Sequence, residues 1–341
     1  MVHDTYKKPH AYVTFVICIY GVITNVLNIV VLTKPNMRNS INCILTGIAV
    51  ADTITMLSLI PFAYYYYLMD NDFKLSSLAW TTYLAVHMNL TLTSHTSSIW
   101  LGVIMAAMRY FFIRPTARGA QTLDCRSTIV VIVVTYLGAA LLIIPNCLVS
   151  QIEPCFNNQT GVLNWHLKQP SFGQKDSDTL QTIFFFMYPV AGKIIPCTLI
   201  SIFGGLLLHT LKETDKRARR LKGEKSATNG NNQTRRTTIM LLAIIALYII
   251  AELPQSILIL LCIFVEGFFR DVYALLADFI DLLSMINCAT NFITYIAMST
   301  QFRKTLGETC CACVPRTSCM PCKDKNAIQN TKYSKTPPEP V

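Results

Sequence analysis

Charge is what this chain has least of. Asp, Glu, Lys and Arg make up 14% of its 341 residues, against 52% hydrophobic residues, and its mean hydropathy is +0.42. So thin a polar coat excludes a soluble domain of this length and indicates a polytopic membrane protein. Acids are scarcer than bases, 19 against 29, leaving a formal net charge of +10. That surplus does not point to nucleic acid, because the bases lie in short connections between apolar runs, where they act as orientation signals. Internal repeats and low-complexity blocks are missing. A cleavable leader is not expected either: Met1 to His10 is polar, and the apolar run after it is about twice the length of a signal-peptide core. No nucleophile, base and orienter set points to an enzyme, and no inverted repeat with broken helices points to a secondary transporter.

What the chain has instead is seven apolar runs, each long enough to cross about 30 Å of hydrocarbon. They cover Ala11 to Leu32, Ile41 to Tyr67, Tyr83 to Ile113, Ser127 to Val149, Leu180 to Leu211, Thr238 to Val265 and Val272 to Met298. The amphipathic stretch Phe302-Arg303-Lys304-Thr305-Leu306 comes after the last of them. The expected fold is an all-α membrane protein, a seven-transmembrane helix bundle with a short amphipathic C-terminal helix. Residues 1–10 form the N-terminus, 11–306 the seven-transmembrane domain with its amphipathic helix, and 307–341 a Cys-rich, disordered tail. Lys and Arg crowd the connections after the first, third and fifth runs, so those face the cytoplasm and the N-terminus is extracellular. The acceptor sequence beginning at Asn158 then lies outside, as a glycosylation site, and the basic connection Lys212 to Arg236 lies inside, extending the helices at its two ends.

Thirteen cysteines would frame a small secreted fold, but most of these fall in apolar runs or in the tail. Cys18, Cys43, Cys147, Cys197, Cys262 and Cys288 read as small packing residues. Cys310, Cys311 and Cys313, just past the amphipathic stretch, read as palmitoylation sites. A zinc site and unmodified reduced thiols are the alternatives.

Polar groups inside the spans carry the functional signal, because lipid makes them costly to retain. Gly21, Asn25 and Asn28 are in the first run, and Asp52 is near the middle of the second. His87, Thr91 and His95 form one stripe on the third, at i, i+4 and i+8. Either they touch ligand or neighbouring groups satisfy them. Two full turns separate the histidine rings, about 12 Å along the axis, so a metal shared between them is not expected. Lys193 either faces the cavity or snorkels outward. Glu252, Pro254 and Gln255 lie deep in the sixth run, where the proline should kink or hinge the helix. In the seventh run Asn287 and Asn291 share a face, with Asp281 near the same stripe and Asp278 one turn earlier.

These residues, in this order, resemble a rhodopsin-like G-protein-coupled receptor from Ala11 to about Cys313. The resemblance is carried by Gly21 and Asn25, the Leu45 to Asp52 run, Arg109-Tyr110, Pro196, Pro254 and Asn291-Phe292-Ile293-Thr294-Tyr295. Within that class, Glu252 to Gln255 and the Asp281 to Arg303 stretch look like invertebrate myosuppressin and FMRFamide-type neuropeptide receptors. They are similar as well to the nematode Srw-type serpentine receptors. The resemblance implies a short amidated peptide as ligand, often ending in Arg-Phe-amide, and a heterotrimeric G protein, commonly inhibitory, as partner. Arrestin is a further partner and the plasma membrane the location. A chemosensory receptor for small environmental molecules is the alternative.

On that likeness ligand binding falls to His87, Thr91, His95, Lys193, Glu252, Gln255, Asp278 and Asp281, with aromatic contacts from Tyr64 to Tyr67. A sodium and water pocket falls to Asp52, Ser98, Asn287, Cys288 and Asn291. No other metal or cofactor is implied. Switching toward the G protein falls to Arg109, Tyr110, Pro254 and Tyr295. The departures are equally specific. Met108 stands where the family has an acid beside the arginine, and Thr234 to Thr237 offer none opposite it, so the inactive-state ionic restraint on Arg109 is missing. Phe292 replaces a proline, the fourth run has no tryptophan, and the third lacks the cysteine that would partner Cys155, so no disulfide is expected.

Overall fold

The computed structural model describes residues 2–69, 76–113, 124–157, 161–168, 179–226, 228–265 and 267–313. It is a bundle of antiparallel helices in which each predicted run is helical. The first is α1 (Val2–Leu32), which begins nine residues before the predicted span and carries Pro9 inside it. The second is α2 (Ser40–Phe62), capped by the Asn39 side chain accepting from the Asn42 N–H and continued by a π turn over Ala63–Leu68. The third and fourth are α3 (Leu78–Ile113) and α4 (Cys125–Val149). The fifth is broken into α5 (Thr179–Met187), a π segment Tyr188–Ile194, and α6 (Ile195–Ser226). The sixth and seventh are α7 (Thr228–Phe264) and α8 (Ala274–Met298). A short helix, α9 (Thr300–Cys313), ends the described chain.

Five of these helices are long and apolar enough to cross a membrane among the described residues, namely those within 9–32, 40–68, 125–149, 179–210 and 275–297. The helix α3 falls short because its middle carries the run Thr91 to Ser98, in which seven residues are hydroxyl-bearing or histidine. Its burial explains how such a run is tolerated, since Ser94, His95, Thr96, Ser97 and Ser98 are all buried by neighbouring helices. The molecule is inverted relative to a soluble domain. Glu252, Asp52 and Lys193 are 0%, 1% and 1% exposed, while Leu141 on α4 is 66% exposed, the arrangement a lipid solvent selects.

Helices α1 and α8 approach closely. Asn25 Nδ2 donates to the carbonyls of Gly21 at 3.0 Å and Cys288 at 3.2 Å, and a Cβ on Gly21 would lie 1.9 Å from the Met56 sulfur. At the inner end Phe302 of α9 is buried against Tyr295 and Phe292. Gln301 donates to the Asn36 carbonyl at 2.8 Å and Asn36 to Thr305 Oγ1 at 3.0 Å, tying α9 to the connection between α1 and α2.

A two-stranded sheet adds to the helices, and no sequence signal anticipates it. Strands β1 (Ile152–Asn157) and β2 (Val162–Leu167) pair as an antiparallel hairpin after α4, with Cys155 opposite Asn164. Trp165 donates its N–H to Ser76 at 2.9 Å and accepts from Thr81 Oγ1 at 3.0 Å, so hydrogen bonds join the hairpin to the start of α3. The Cys155 thiol is free. Of the cysteines read as packing residues, Cys18, Cys197, Cys262 and Cys288 are buried. Cys43 is half-buried and Cys147 is exposed on the outward face of α4, a correction to the packing role expected of it.

Candidate functional site

Five of the eight predicted ligand residues converge on one network at mid-depth. The π segment supplies Lys193. A π turn carries one residue more than the helix around it, so side chains within it take directions that an unbroken helix would not give them, and Lys193, near its end, points inward. Of the two orientations left open by the sequence, the structure takes the cavity-facing one. Lys193 Nζ donates to Glu252 Oε2 at 2.6 Å and also to Gln255 Oε1. Glu252 and Gln255 sit on α7 on either side of Pro254 and share a face.

The second Glu252 oxygen is also engaged. His95 Nε2 of α3 lies 2.9 Å from Oε1, at ion-pair distance without hydrogen-bond alignment, and Ser284 Oγ of α8 donates to it at 3.1 Å. Gln255 Nε2 donates to Asp281 Oδ1 of α8 at 3.1 Å. The network therefore ties together α3, the π segment, α7 and α8, with the Tyr188 ring 5.8 Å from the Lys193 ammonium. Exposure falls along it. Asp281 is exposed, Gln255 is 8% exposed, and the Lys193 and Glu252 pair is almost wholly enclosed. Asp281 is thus the exposed end of the network and the ion pair its enclosed end.

The remaining ligand candidates take other partners. Asp278, half-buried one turn above Asp281, accepts from the Tyr67 hydroxyl at 2.9 Å, and Tyr67 meets His10 of α1 edge-on at 5.4 Å. His87 and Thr91 turn toward α2, where Ser58 Oγ lies 3.2 Å from His87 Nδ1 and 3.3 Å from Thr91 Oγ1. Phe62 and Tyr83 stack on the His87 ring at 4.9 and 5.8 Å. The single stripe on α3 therefore serves two neighbourhoods, and His95 alone of the three reaches the ion pair.

Two turns deeper the predicted sodium residues assemble. Asp52 Oδ1 accepts from Ser98 Oγ at 3.0 Å and Oδ2 from Asn291 Nδ2 at 2.9 Å, and the Cys288 thiol bonds the same carboxylate. Asn287 is buried one turn above Asn291. Three donors, an O–H, an N–H and an S–H, thus converge on one buried carboxylate, whose two oxygens and the Ser98 hydroxyl are the oxygen ligands a sodium ion would take.

At the inner end Arg109 is half-buried, and among the described residues no acid partners it. Tyr110 packs on Phe203 at 6.2 Å and Tyr295 on Phe302 at 5.5 Å. Pro254 lies inside α7. Cys310 is exposed on α9. Cys311 and Cys313 are on the same helix, but their side chains, like Asn158, lie outside the described residues. Sequence reasoning missed Ser284, although its place three residues after Asp281 is the helical repeat that would have found it. It also missed Ser58, which as a lone hydroxyl on an apolar helix gives no signal.

Comparison with known proteins agrees with this architecture. The family described as serpentine type 7TM GPCR chemoreceptor Srw matches residues 12–313. The G-protein coupled receptor dmsr-1 of Caenorhabditis elegans is 32% identical over 89% of this chain and 68% of its own length. The sex peptide receptor of Drosophila melanogaster is 23% identical over 89% of this chain and 73% of its own. The FMRFamide receptor of the same fly is 22% identical over 85% and 51%. With one family covering all seven helices, and a relative this similar, the chain belongs to the Srw-type serpentine receptors, rhodopsin-like G-protein-coupled receptors that span the membrane several times.

Proposed function

We propose that this chain is a plasma-membrane receptor for a short amidated peptide with an arginine near its C-terminus, read from the extracellular side, where the N-terminus also lies. The observation that carries this is Asp281, an exposed residue whose carboxylate accepts from Gln255, beside half-buried Asp278 and linked to an enclosed pair whose single lysine is already paired. Within the network two carboxylates, Glu252 and Asp281, face the single ammonium of Lys193, and Asp278 lies one helical turn from Asp281. A site of that charge favours a cation, and a guanidinium can bind a carboxylate through two hydrogen bonds. Relatives named as receptors for FMRFamide and sex peptide support a peptide over a smaller ligand.

Agonist shifts a pre-existing equilibrium in proportion to its tighter binding of the active state. The partner is a heterotrimeric G protein of the inhibitory type, engaged at the inner ends of the helices, with arrestin as a later partner. Sodium at Asp52, palmitate on Cys310, Cys311 and Cys313, and glycan at Asn158 complete the reading. A panel of amidated peptides, applied to cells expressing the chain with a G-protein sensor, tests it. Activation by peptides ending in Arg-Phe-amide, lost when the arginine becomes citrulline, is the expected result. The family description as chemoreceptors favours one second reading, a receptor for small environmental molecules. Activation by such compounds and by no peptide would establish that reading instead.

A further inference from the structure

One side chain joins the exposed acid to the buried ion pair. Gln255 donates through Nε2 to Asp281 and accepts through Oε1 from Lys193. Both atoms sit on one amide carbon, so neither can leave its partner without disturbing the other. A guanidinium that takes Asp281 through both oxygens competes directly with the Gln255 N–H. When that bond is lost, the amide turns and Lys193 loses an acceptor in a site too enclosed for water to replace it. The strain falls on the stretch of α7 that has Pro254 between Glu252 and Gln255, where the helix ladder already lacks a donor.

We infer that Gln255 is a positioning residue that carries ligand engagement at Asp281 to the Lys193 and Glu252 pair, and that this pair is the restraint holding α7 in the signalling-off arrangement. The inference rests on the receptor reading above. It accounts for two facts at once: the four-helix reach of the pair and the lack of an acidic partner for Arg109 among the described residues. The restraint that the family resemblance implies at Arg109 is, on this inference, at the centre.

The test uses the full chain in cells, with surface labelling to normalise each variant. Basal G-protein activation is read without ligand. Response and binding are read with labelled Phe-Met-Arg-Phe-amide as the probe. Glu252→Gln should raise basal activation about fivefold or more, at the lower end of ordinary allosteric coupling. Lys193→Met with Glu252→Leu, which removes the pair without leaving a lone charge, should do the same and guards against a variant that merely fails to fold. Lys193→Glu with Glu252→Lys should return basal activation toward wild type. Gln255→Leu takes from Lys193 the same acceptor that ligand engagement does, so it should raise basal activation and shrink the further rise that the probe produces by about fivefold or more, a combination that a merely structural glutamine would not produce. Unchanged basal activation in the surface-expressed pair variants, or unchanged basal activation with a full probe response in Gln255→Leu, overturns the inference and leaves the receptor reading standing. If the wild type neither binds nor answers the probe, the peptide assignment fails, and the basal measurements still decide whether the pair is a restraint.

Discussion

The centre and the inner end of the bundle treat buried charge in opposite ways. At the centre the Glu252 carboxylate has Lys193 at 2.6 Å, His95 at 2.9 Å and Ser284 at 3.1 Å. Fourteen residues further along α3, about 21 Å by helical rise, Arg109 has no acid beside it among the described residues. One region has its charges paired across four helices, and the other leaves a guanidinium to its neighbours' packing. A receptor needs some element with two discrete arrangements to convert binding into signal. On the proposed reading that element sits beside Asp281, and a binding event there needs to travel only the length of one glutamine.

The comparison is tested hardest by breaking the central pair on one side. Glu252→Ala strands the Lys193 ammonium in an enclosed site, which should cost about 3–5 kcal/mol, whereas replacing both partners by apolar residues of similar volume should be near neutral. The measurements are the thermal midpoint of the detergent-solubilised receptor and the fraction reaching the cell surface. A single variant as stable as the wild type would mean that the pair contributes nothing to holding the helices together.

The next effect is at Asp281. Asp281→Asn should weaken the response to an arginine-containing amidated peptide about 10- to 100-fold, the worth of roughly 1.5–3 kcal/mol for a hydrogen bond to a charged group. The matching peptide with citrulline should respond alike on both receptors, closing a cycle that isolates the pairing. Should the citrulline peptide lose as much on the variant, the acid acts through Gln255 and not on the ligand's charge.

How far these residues could be read without coordinates differs between the two regions too. Intramembrane charge is rare enough that Asp52, Lys193, Glu252 and Asp281 declare themselves one by one, and i, i+4 spacing puts Asn287 and Asn291 on one face. Pairing is another matter. Nothing in the sequence around Lys193 announces a π turn, and without that turn the lysine could equally point outward. The His87, Thr91 and His95 stripe is correct as a stripe and silent about partners, since Ser58 and Glu252 come from helices whose rotation is set by packing. The β1 and β2 hairpin, held to Ser76 and Thr81 through Trp165, has only short mixed segments that give no clear period of two. At the inner end, by contrast, Met108 and Arg109 are adjacent in the chain, so the missing acid is visible from sequence alone.

Between the two regions lies Asp52, held by Ser98 and Asn291. If sodium occupies this pocket and favours the arrangement with the central pair closed, raising sodium in place of an organic cation should lower peptide affinity by about fivefold, a modest coupling. Asp52→Asn should remove that dependence. Persisting sodium sensitivity in the variant would place the ion elsewhere and detach the pocket from the central restraint.

The smallest effect should come from giving the inner end what it lacks. Met108→Asp places a carboxylate next to Arg109 in sequence. Adjacent residues on a helix diverge by about 100° and do not face each other, so the contact needs both side chains to bend together in a half-exposed setting. Such pairs are worth about 0.2–1 kcal/mol, and the substitution also withdraws Met108 from the apolar cluster it packs against. Basal signalling should therefore fall, by no more than about fivefold for 1 kcal/mol, and by less than the rise expected on removing the central pair. Measured in the Lys193→Met, Glu252→Leu background, where basal activity starts high, the same substitution should lower it by a similar factor, because the two sites are far enough apart for their effects to add. A fall at Met108→Asp larger than the rise at the central variants would return the dominant restraint to the inner end and reverse the contrast between the two regions.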